Sequence, residues 1–282
     1  MTTPERTLND GHQIPGIGFG TYPLKEDEAH AAITSALDVG YRLLDSAVNY
    51  GNEAEVGKAA RDWLSANGVD ASELTIQTKL PGRHHDYDSA LASGLESRER
   101  LGVDRIDVLL IHWPNPITNK FREAWRALVE LQHRDVVRTI GVSNFTADHL
   151  EAIVDDTGVT PAINQIELHP YFIQEDMRAT NAERGILTQS WSPLGKRQAP
   201  FGEPAVADAA AAHGVTPAQA ILRWQVQLGN VPLPKSATAE RQATNLDVFG
   251  FELTEAQMAA ISALTRADGR LFDGDPATHE EM

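Results

Sequence analysis

A (β/α)8 TIM barrel, preceded by a β-hairpin and followed by an extra helix, is the fold predicted for these 282 residues. Three observations carry the expectation. Apolar runs of strand length recur eight times, each followed by a segment whose apolar residues have helical spacing. The runs are rich in Val, Ile and Leu with little alternation, as parallel strands buried on both faces should be. The length and the 41% hydrophobic content suit one barrel domain over residues 1–282, because single barrels of about 250 residues are ordinary.

The elements follow in order. "RTLNDGHQIP" reads as two brief strands about Asp10-Gly11, which predicts a hairpin with a two-residue turn. "GIGFGT" then precedes a helical pattern over residues 26–38, "YRLLDSA" one over 53–66, "LTIQTKL" one over 88–101, and "RIDVLLIHW" one over 121–133. In the second half "VRTIGVSN" precedes 146–155, "AINQIEL" precedes 174–184, "ILTQSW" precedes both 204–213 and 217–228, and "VPLPKS" precedes 239–248. "FELTEAQMAAISAL" adds a helix outside the repeat, with Thr254 and Gln257 at capping-box spacing. The acidic tail "RADGRLFDGDPATHEEM" has no periodicity and is expected to be irregular. A doubly wound open sheet competes with the barrel. That fold announces a glycine turn leading tightly into a helix, whereas "GIGFG" at residues 16–20 runs into "TYPLKEDEA".

Composition narrows the functions. With 24 basic against 40 acidic residues the formal charge is −16, which leaves no broad positive field for nucleic acid or an anionic membrane. Cysteine is absent, so disulfides, thiolate chemistry and sulfur-ligated metals are excluded. The N-terminus lacks an apolar signal core and no stretch approaches the roughly 20 apolar residues of a membrane span, so a cytoplasmic location is expected. Lysines number six, so an anion site would have to be assembled locally against the overall field, and Lys79 and Lys235 both fall at strand ends.

Barrel enzymes build their sites at the C-terminal ends of strands. The second strand ends in Asp45, with Tyr50 in the loop beyond; the third ends in Lys79 and the fourth in His112-Trp113. Later strands run into Ser143-Asn144, carry Gln165, end in Trp191-Ser192, and end in Lys235-Ser236. Singly, each has a bland explanation: Asp45 as a turn cap, His112 as a satisfied core histidine, Trp191 as core. A lysine among buried strand residues costs several kcal/mol unless paired, however, and Asp45 is the neighbouring candidate. Asp, Tyr, Lys and His converging without cysteine or a metal cluster suit carbonyl reduction, in which the protein supplies a proton and an oxyanion site. Lys79 would stabilise the Tyr50 phenolate: unit charges 4 Å apart at an effective dielectric of about 20 interact by roughly 4 kcal/mol, enough to lower a tyrosine pKa by up to about three units. Adjacent His84-His85 lack a third ligand at a fitting spacing, so no metal is expected and they read as exposed loop histidines.

The blocks "GYRLLDSAVNYGNE", "TKL", "RLGVDRIDVLLIHWP", "GVSNF", "NQIELHP", "QSWSPLG" and "PKSATAERQATN" resemble the aldo-keto reductase family in order and spacing over nearly the whole chain. Among subgroups the chain looks most like bacterial 2,5-diketo-D-gluconate reductases. The resemblance implies a catalytic tetrad of Asp45, Tyr50, Lys79 and His112 with Tyr50 as general acid. It implies NADP(H) as cofactor: Ser143, Asn144 and Gln165 at the nicotinamide carboxamide, Trp191 on its ring, and Ser192, Leu194 and Gly195 around the pyrophosphate. Lys235, Ser236 and Arg241 would take the 2′-phosphate and Asn245 the adenine, although Thr244 stands where the family usually has glutamate. Tyr22, Trp113 and the loop about Leu80 and His84 would line the mouth for a small carbonyl substrate. The segment after Gly195, "KRQAPFGEP", is either a flap or an ordinary connection. A monomer is the family expectation. Two other functions remain open: a barrel lyase forming a Schiff base at Lys79, and a cofactor-binding regulatory subunit like the potassium-channel β subunits that share this scaffold.

Overall fold

The computed structural model describes residues 3–272 and 274–281. Strands β1 (Glu5–Thr7) and β2 (Gln13–Pro15) form the antiparallel hairpin, with Glu5 opposite Pro15 and Thr7 opposite Gln13. Its turn differs from the expectation. Leu8 N donates to His12 O at 2.8 Å and Gly11 N to Leu8 O at 3.0 Å, so the loop is Asn9-Asp10-Gly11, with Gly11 at φ 85 in the left-handed position. The third residue frees the Asp10 side chain, whose Oδ1 accepts from His12 N at 3.0 Å and whose Oδ2 accepts from Thr139 Oγ1 at 2.7 Å. Beneath it, Leu8 and Ile14 pack on Val108, Leu110 and Ile163 and close one end of the barrel.

Eight parallel strands follow in sequential order: β3 (Phe19–Gly20), β4 (Leu43–Asp45), β5 (Thr75–Leu80), β6 (Ile106–Ile111), β7 (Val137–Ser143), β8 (Ile163–Glu167), β9 (Leu187–Trp191) and β10 (Val231–Pro232). The sheet closes where Gly18 N donates to Pro232 O at 3.0 Å and Gly20 N to Pro234 O at 3.1 Å. A Cβ on Gly18 would lie 2.6 Å from Leu233 Cδ2 and 2.7 Å from Leu43 Cγ. The glycine cluster therefore lets the first barrel strand approach the last, which removes the reason to read it as a dinucleotide turn.

The helices are α1 (Glu26–Val39), α2 (Glu53–Asn67), α3 (Tyr87–Leu101), α4 (Phe121–His133), α5 (Ala147–Thr157), α6 (Glu175–Glu183), α7 (Pro204–His213), α8 (Pro217–Gln227), α9 (Ala239–Leu246) and α10 (Glu255–Ser262). They match the predicted spans to within about two residues, because the apolar period sets which face each helix buries. In α1 the buried Ala29, Ile33 and Leu37 recur every fourth residue. Each such Ile or Leu contributes about 1.5–3 kcal/mol by leaving water. The capping box at Thr254 and Gln257 is present. Helix α10 packs with α7 and α8 around Val206, Ile221, Trp224 and Ile261.

The tail is irregular, as expected, but it is tied down. Arg266 N donates to Tyr171 O at 3.1 Å, Leu271 N to Glu167 Oε1 at 2.7 Å, and Ile117 N to Glu280 Oε1 at 2.7 Å. It thus crosses the face of the barrel where the strands end. No described helix is long and apolar enough to cross a membrane.

Candidate active site

A cavity of about 1040 Å³ opens at the C-terminal ends of the strands. Asp45, Tyr50 and His112 line one part of it, and Lys79 stands behind them, fully buried. Lys79 Nζ donates to Asp45 Oδ1 at 2.7 Å, to Ser46 O at 2.8 Å and to Tyr50 OH at 3.3 Å. Those three bonds use all three donors of the ammonium. Burial pulls the Lys79 pKa down, but the Asp45 and Tyr50 charges and hydrogen bonds outweigh it and the net shift is upward, so the ammonium is retained. A buried, charged amine with every N–H engaged is not a Schiff-base nucleophile, which disfavours the lyase alternative.

Tyr50 ends a single 3-10 turn, Val48–Tyr50, in the loop after β4. The loop is fixed by Asn52, which is fully buried: Ser46 Oγ donates to Asn52 Oδ1 at 2.7 Å, and Asn52 Nδ2 donates to Leu24 O at 2.9 Å. The Tyr50 pKa corrects one expectation. Burial raises it; Lys79 pulls it down, while Asp45 and Glu281 push it up, and the net direction is upward. Tyr50, half-buried at the cavity wall, therefore keeps its proton at rest, and Lys79 matters for the phenolate formed when that proton leaves. His112 lies edge-on to Tyr50, ring centroids 5.7 Å apart.

Among the other predicted residues, Asn144, Gln165, Trp191, Ser192, Leu194, Lys235, Ser236, Arg241, Asn245, Tyr22 and Trp113 all line the cavity. Ser143 and Gly195 do not. Ser143 is buried behind Asn144, donating to Gln165 O at 2.7 Å and accepting from Asn144 Nδ2 at 3.0 Å. Trp191 Nε1 donates to Asn144 Oδ1 at 2.8 Å, which fixes the indole. The loop about Leu80 and His84 is also absent from the lining. Leu80 turns into the apolar core, and His84 Nδ1 pairs with Ser93 Oγ at 2.9 Å. Nor are the two histidines both exposed: His85 is 1% exposed, neither ring nitrogen is hydrogen-bonded to a described residue, and burial lowers its pKa to about 4. No cluster of three or more metal-ligating side chains occurs among the described residues.

The model of the Aldo/keto reductase family matches residues 16–199 and 203–266. The chain belongs to the aldo/keto reductase family. It is 52% identical over 279 residues to 2,5-diketo-D-gluconic acid reductase B of Corynebacterium sp. (strain SHS752001), covering 99% of both chains. A Gox0644 variant solved in complex with NADPH is 40% identical, with a TM-score of 0.93 over 99% of this chain and 100% of that one. An aldo-keto reductase of Bombyx mori solved in complex with NADP is 31% identical, with a TM-score of 0.90 over 97% of this chain and 96% of that one.

At this site the aldo-keto reductase also places residues that the sequence did not single out. Lys196 lines the cavity from a 3-10 turn over Lys196–Gln198, its Nζ 4.3 Å from the Phe272 ring centroid and 5.4 Å from that of Tyr22. The segment after Gly195 thus leans over the opening. From the tail, Phe272 joins the lining and His279 packs at a tilt against Trp113, centroids 4.3 Å apart. Glu281 Oε1 lies 2.7 Å from His112 Nδ1 without meeting hydrogen-bond alignment, and so makes an ion-pair approach. Asn49 Nδ2 donates to the same oxygen at 2.7 Å, and Gly82 N to Oε2 at 3.2 Å. Burial raises the Glu281 pKa, but these partners prevail and hold it below the ordinary carboxylate range. An aperiodic tail carries no pattern that could have announced these contacts.

Proposed function

We propose that this protein reduces aldehydes or ketones to alcohols with NADPH, and that Tyr50 is the proton donor. The observation that carries this reading is the convergence of Asp45, Tyr50, Lys79 and His112 at a cavity that also presents Lys235 and Arg241. The residues present fit the cofactor. Lys235 and Arg241 are exposed and form no ion pair with a described residue. They flank the start of α9, whose N-cap Thr238 makes no side-chain cap, so helix N–H groups remain for an anion. Together with Ser236 these groups would hold the 2′-phosphate and Asn245 the adenine, opposed in part by Glu240 in the same lining. Ser192, Leu194 and Lys196 would hold the pyrophosphate, and Asn144, Gln165 and Trp191 the nicotinamide. When bound, NADPH supplies the hydride.

The chain's own residues supply the rest. Tyr50 holds the proton at its hydroxyl and releases it toward the carbonyl oxygen, Lys79 stabilises the phenolate, and Asp45 keeps Lys79 charged and in place. The His112 ring edge faces the same space and polarises the carbonyl. Tyr22, Trp113 and Phe272 exclude water from the mouth. Keto sugars, dicarbonyls and small aldehydes are the substrate classes proposed, the first supported by the name of the Corynebacterium relative.

The test is NADPH oxidation across a panel of those three classes, with Tyr50→Phe alongside. Turnover that falls about 10²–10⁴-fold in the variant, with NADPH affinity kept, is expected. An absence of turnover with every class would favour the regulatory-subunit alternative, and an active Tyr50→Phe would remove Tyr50 from the acid role.

A further inference from the structure

Beneath the tetrad the barrel interior carries amides where apolar layers are usual. Gln77 on β5, Gln165 on β8 and Gln189 on β9 are each at most 1% exposed and bond to one another and to Asp45. Gln77 Nε2 donates to Asp45 Oδ1 at 2.7 Å and to Gln189 Oε1 at 2.9 Å. Gln165 Nε2 donates to Asp45 Oδ1 at 3.1 Å and to Gln189 Oε1 at 3.0 Å, and Gln189 Nε2 donates to Gln77 Oε1 at 3.0 Å.

The directions of these bonds follow from one charge. Asp45, paired with Lys79, is an acceptor only, so the groups that Gln77 and Gln165 turn toward it must be their NH2 groups. Both NH2 groups also meet the same atom of Gln189, which must then be its oxygen, and the Gln189 NH2 is left for Gln77 Oε1. Both N–H bonds of Gln165 are thereby spent inside the barrel. Its Oε1 takes no hydrogen bond from a described residue, yet it is not among the buried unpaired atoms, and Gln165 lines the cavity.

We infer that Gln189, supported by Gln77, is a positioning residue for the cofactor: it locks the Gln165 amide so that an oxygen, never an NH2, faces the cavity, and selects a ligand that offers an N–H there. The carboxamide NH2 of the nicotinamide is such a group. The inference rests on the proposed placement of the cofactor and adds two residues that do not line the cavity. Without Gln189, the Gln165 amide keeps only its bond to Asp45 Oδ1 at 3.1 Å, and with one N–H left unpaired its single presentation is weakened.

The experiment measures dissociation constants, by protein fluorescence, for NADPH and for adenosine 2′,5′-bisphosphate, which lacks the nicotinamide. The proteins are wild type, Gln189→Leu and Gln77→Leu/Gln189→Leu. The double variant replaces both partners by apolar groups, which limits the cost of orphaned buried amides. NADPH binding is expected to weaken roughly 2- to 12-fold in a folded variant, the worth of one hydrogen bond, with adenosine 2′,5′-bisphosphate binding unchanged. Equal weakening of both ligands, or unchanged NADPH binding, would overturn the inference. So would the failure of both variants to fold, since the cluster would then be a requirement of the barrel. Failure of wild type to bind adenosine 2′,5′-bisphosphate would instead sink the cofactor placement, and the inference with it.

Discussion

Replacing Lys79 by methionine separates what the buried ion pair does for stability from what it does for the reaction. The pair is almost wholly removed from water, with Nζ 2.7 Å from Asp45 Oδ1 and side-chain exposures of 0% and 6%. Breaking such a pair by removing one partner typically costs about 3–5 kcal/mol, because the other charge stays buried. Here Asp45 Oδ1 keeps the Gln77 and Gln165 amide donors, so the lower end, ~3 kcal/mol, is expected. In a protein of this size that lowers Tm by roughly 6–12 °C. The reaction loses something else. With Lys79 Nζ 3.3 Å from Tyr50 OH, its attraction to the phenolate is at most about 5 kcal/mol at an effective dielectric of 20, which bounds the loss of turnover at about 5 × 10³-fold. Melting curves give the first quantity and NADPH oxidation with a dicarbonyl gives the second. The double variant Asp45→Asn/Lys79→Met removes the orphaned carboxylate and should regain most of the lost stability while staying inactive. A Lys79→Met protein as stable as wild type, or a double variant with normal turnover, would refute this account of the pair.

The remaining predictions concern neighbouring parts of the molecule. Arg241→Ala should weaken NADPH binding roughly 10- to 150-fold, the worth of charge-assisted hydrogen bonds of about 1.5–3 kcal/mol, with little change for NADH. Fluorescence titration of both cofactors checks it, and equal losses would make Arg241 a structural residue. Glu281→Gln removes the carboxylate charge 2.7 Å from His112 Nδ1 and should lower turnover several-fold while leaving the Kd for NADPH unchanged. Steady-state kinetics beside a binding titration would show otherwise if the tail only packs. His85 is buried and its folded-state pKa is depressed from 6.5 to about 4, so its contribution to stability is present above pH 6.5 and is lost as pH falls through about 4. The loss amounts to about 3 kcal/mol, and His85→Leu should flatten the acid limb of Tm against pH. An unchanged limb would assign it to other groups.

Elements with a strong local period were legible in the sequence: eight apolar runs, the helices between them, and the polar residues that end the strands. Asp45, Lys79 and His112 were legible for the same reason, since a strand end fixes where its side chain must point, whereas Tyr50 lies in the loop beyond. The failures share a cause. Gln77 and Gln189 sit mid-strand, and nothing in the sequence tells that the closed barrel turns them inward. His85 looked solvated beside His84 because nothing local shows that the tail lies near it. Lys196, Phe272 and Glu281 lie in segments without periodicity and owe their places to partners far away in the chain. The Tyr50 shift was misjudged because the cation beside it could be inferred, while the burial opposing it could not.

The ties between distant parts of the chain also set an order of assembly. Gly18 must wait for Pro232 before the barrel can close, and Asn49 and His112 meet Glu281 only after some 170 to 230 further residues have been made. A chain growing from its N-terminus can form its early strand–helix units first, but the face of the barrel where the strands end is completed only by the segment that follows α10. A transcript cut short near residue 265 would yield a product with all eight barrel strands and none of Phe272, His279 or Glu281. Such a fragment would carry Asp45, Tyr50, Lys79 and His112 and still lack the part of the cavity wall that Phe272 supplies.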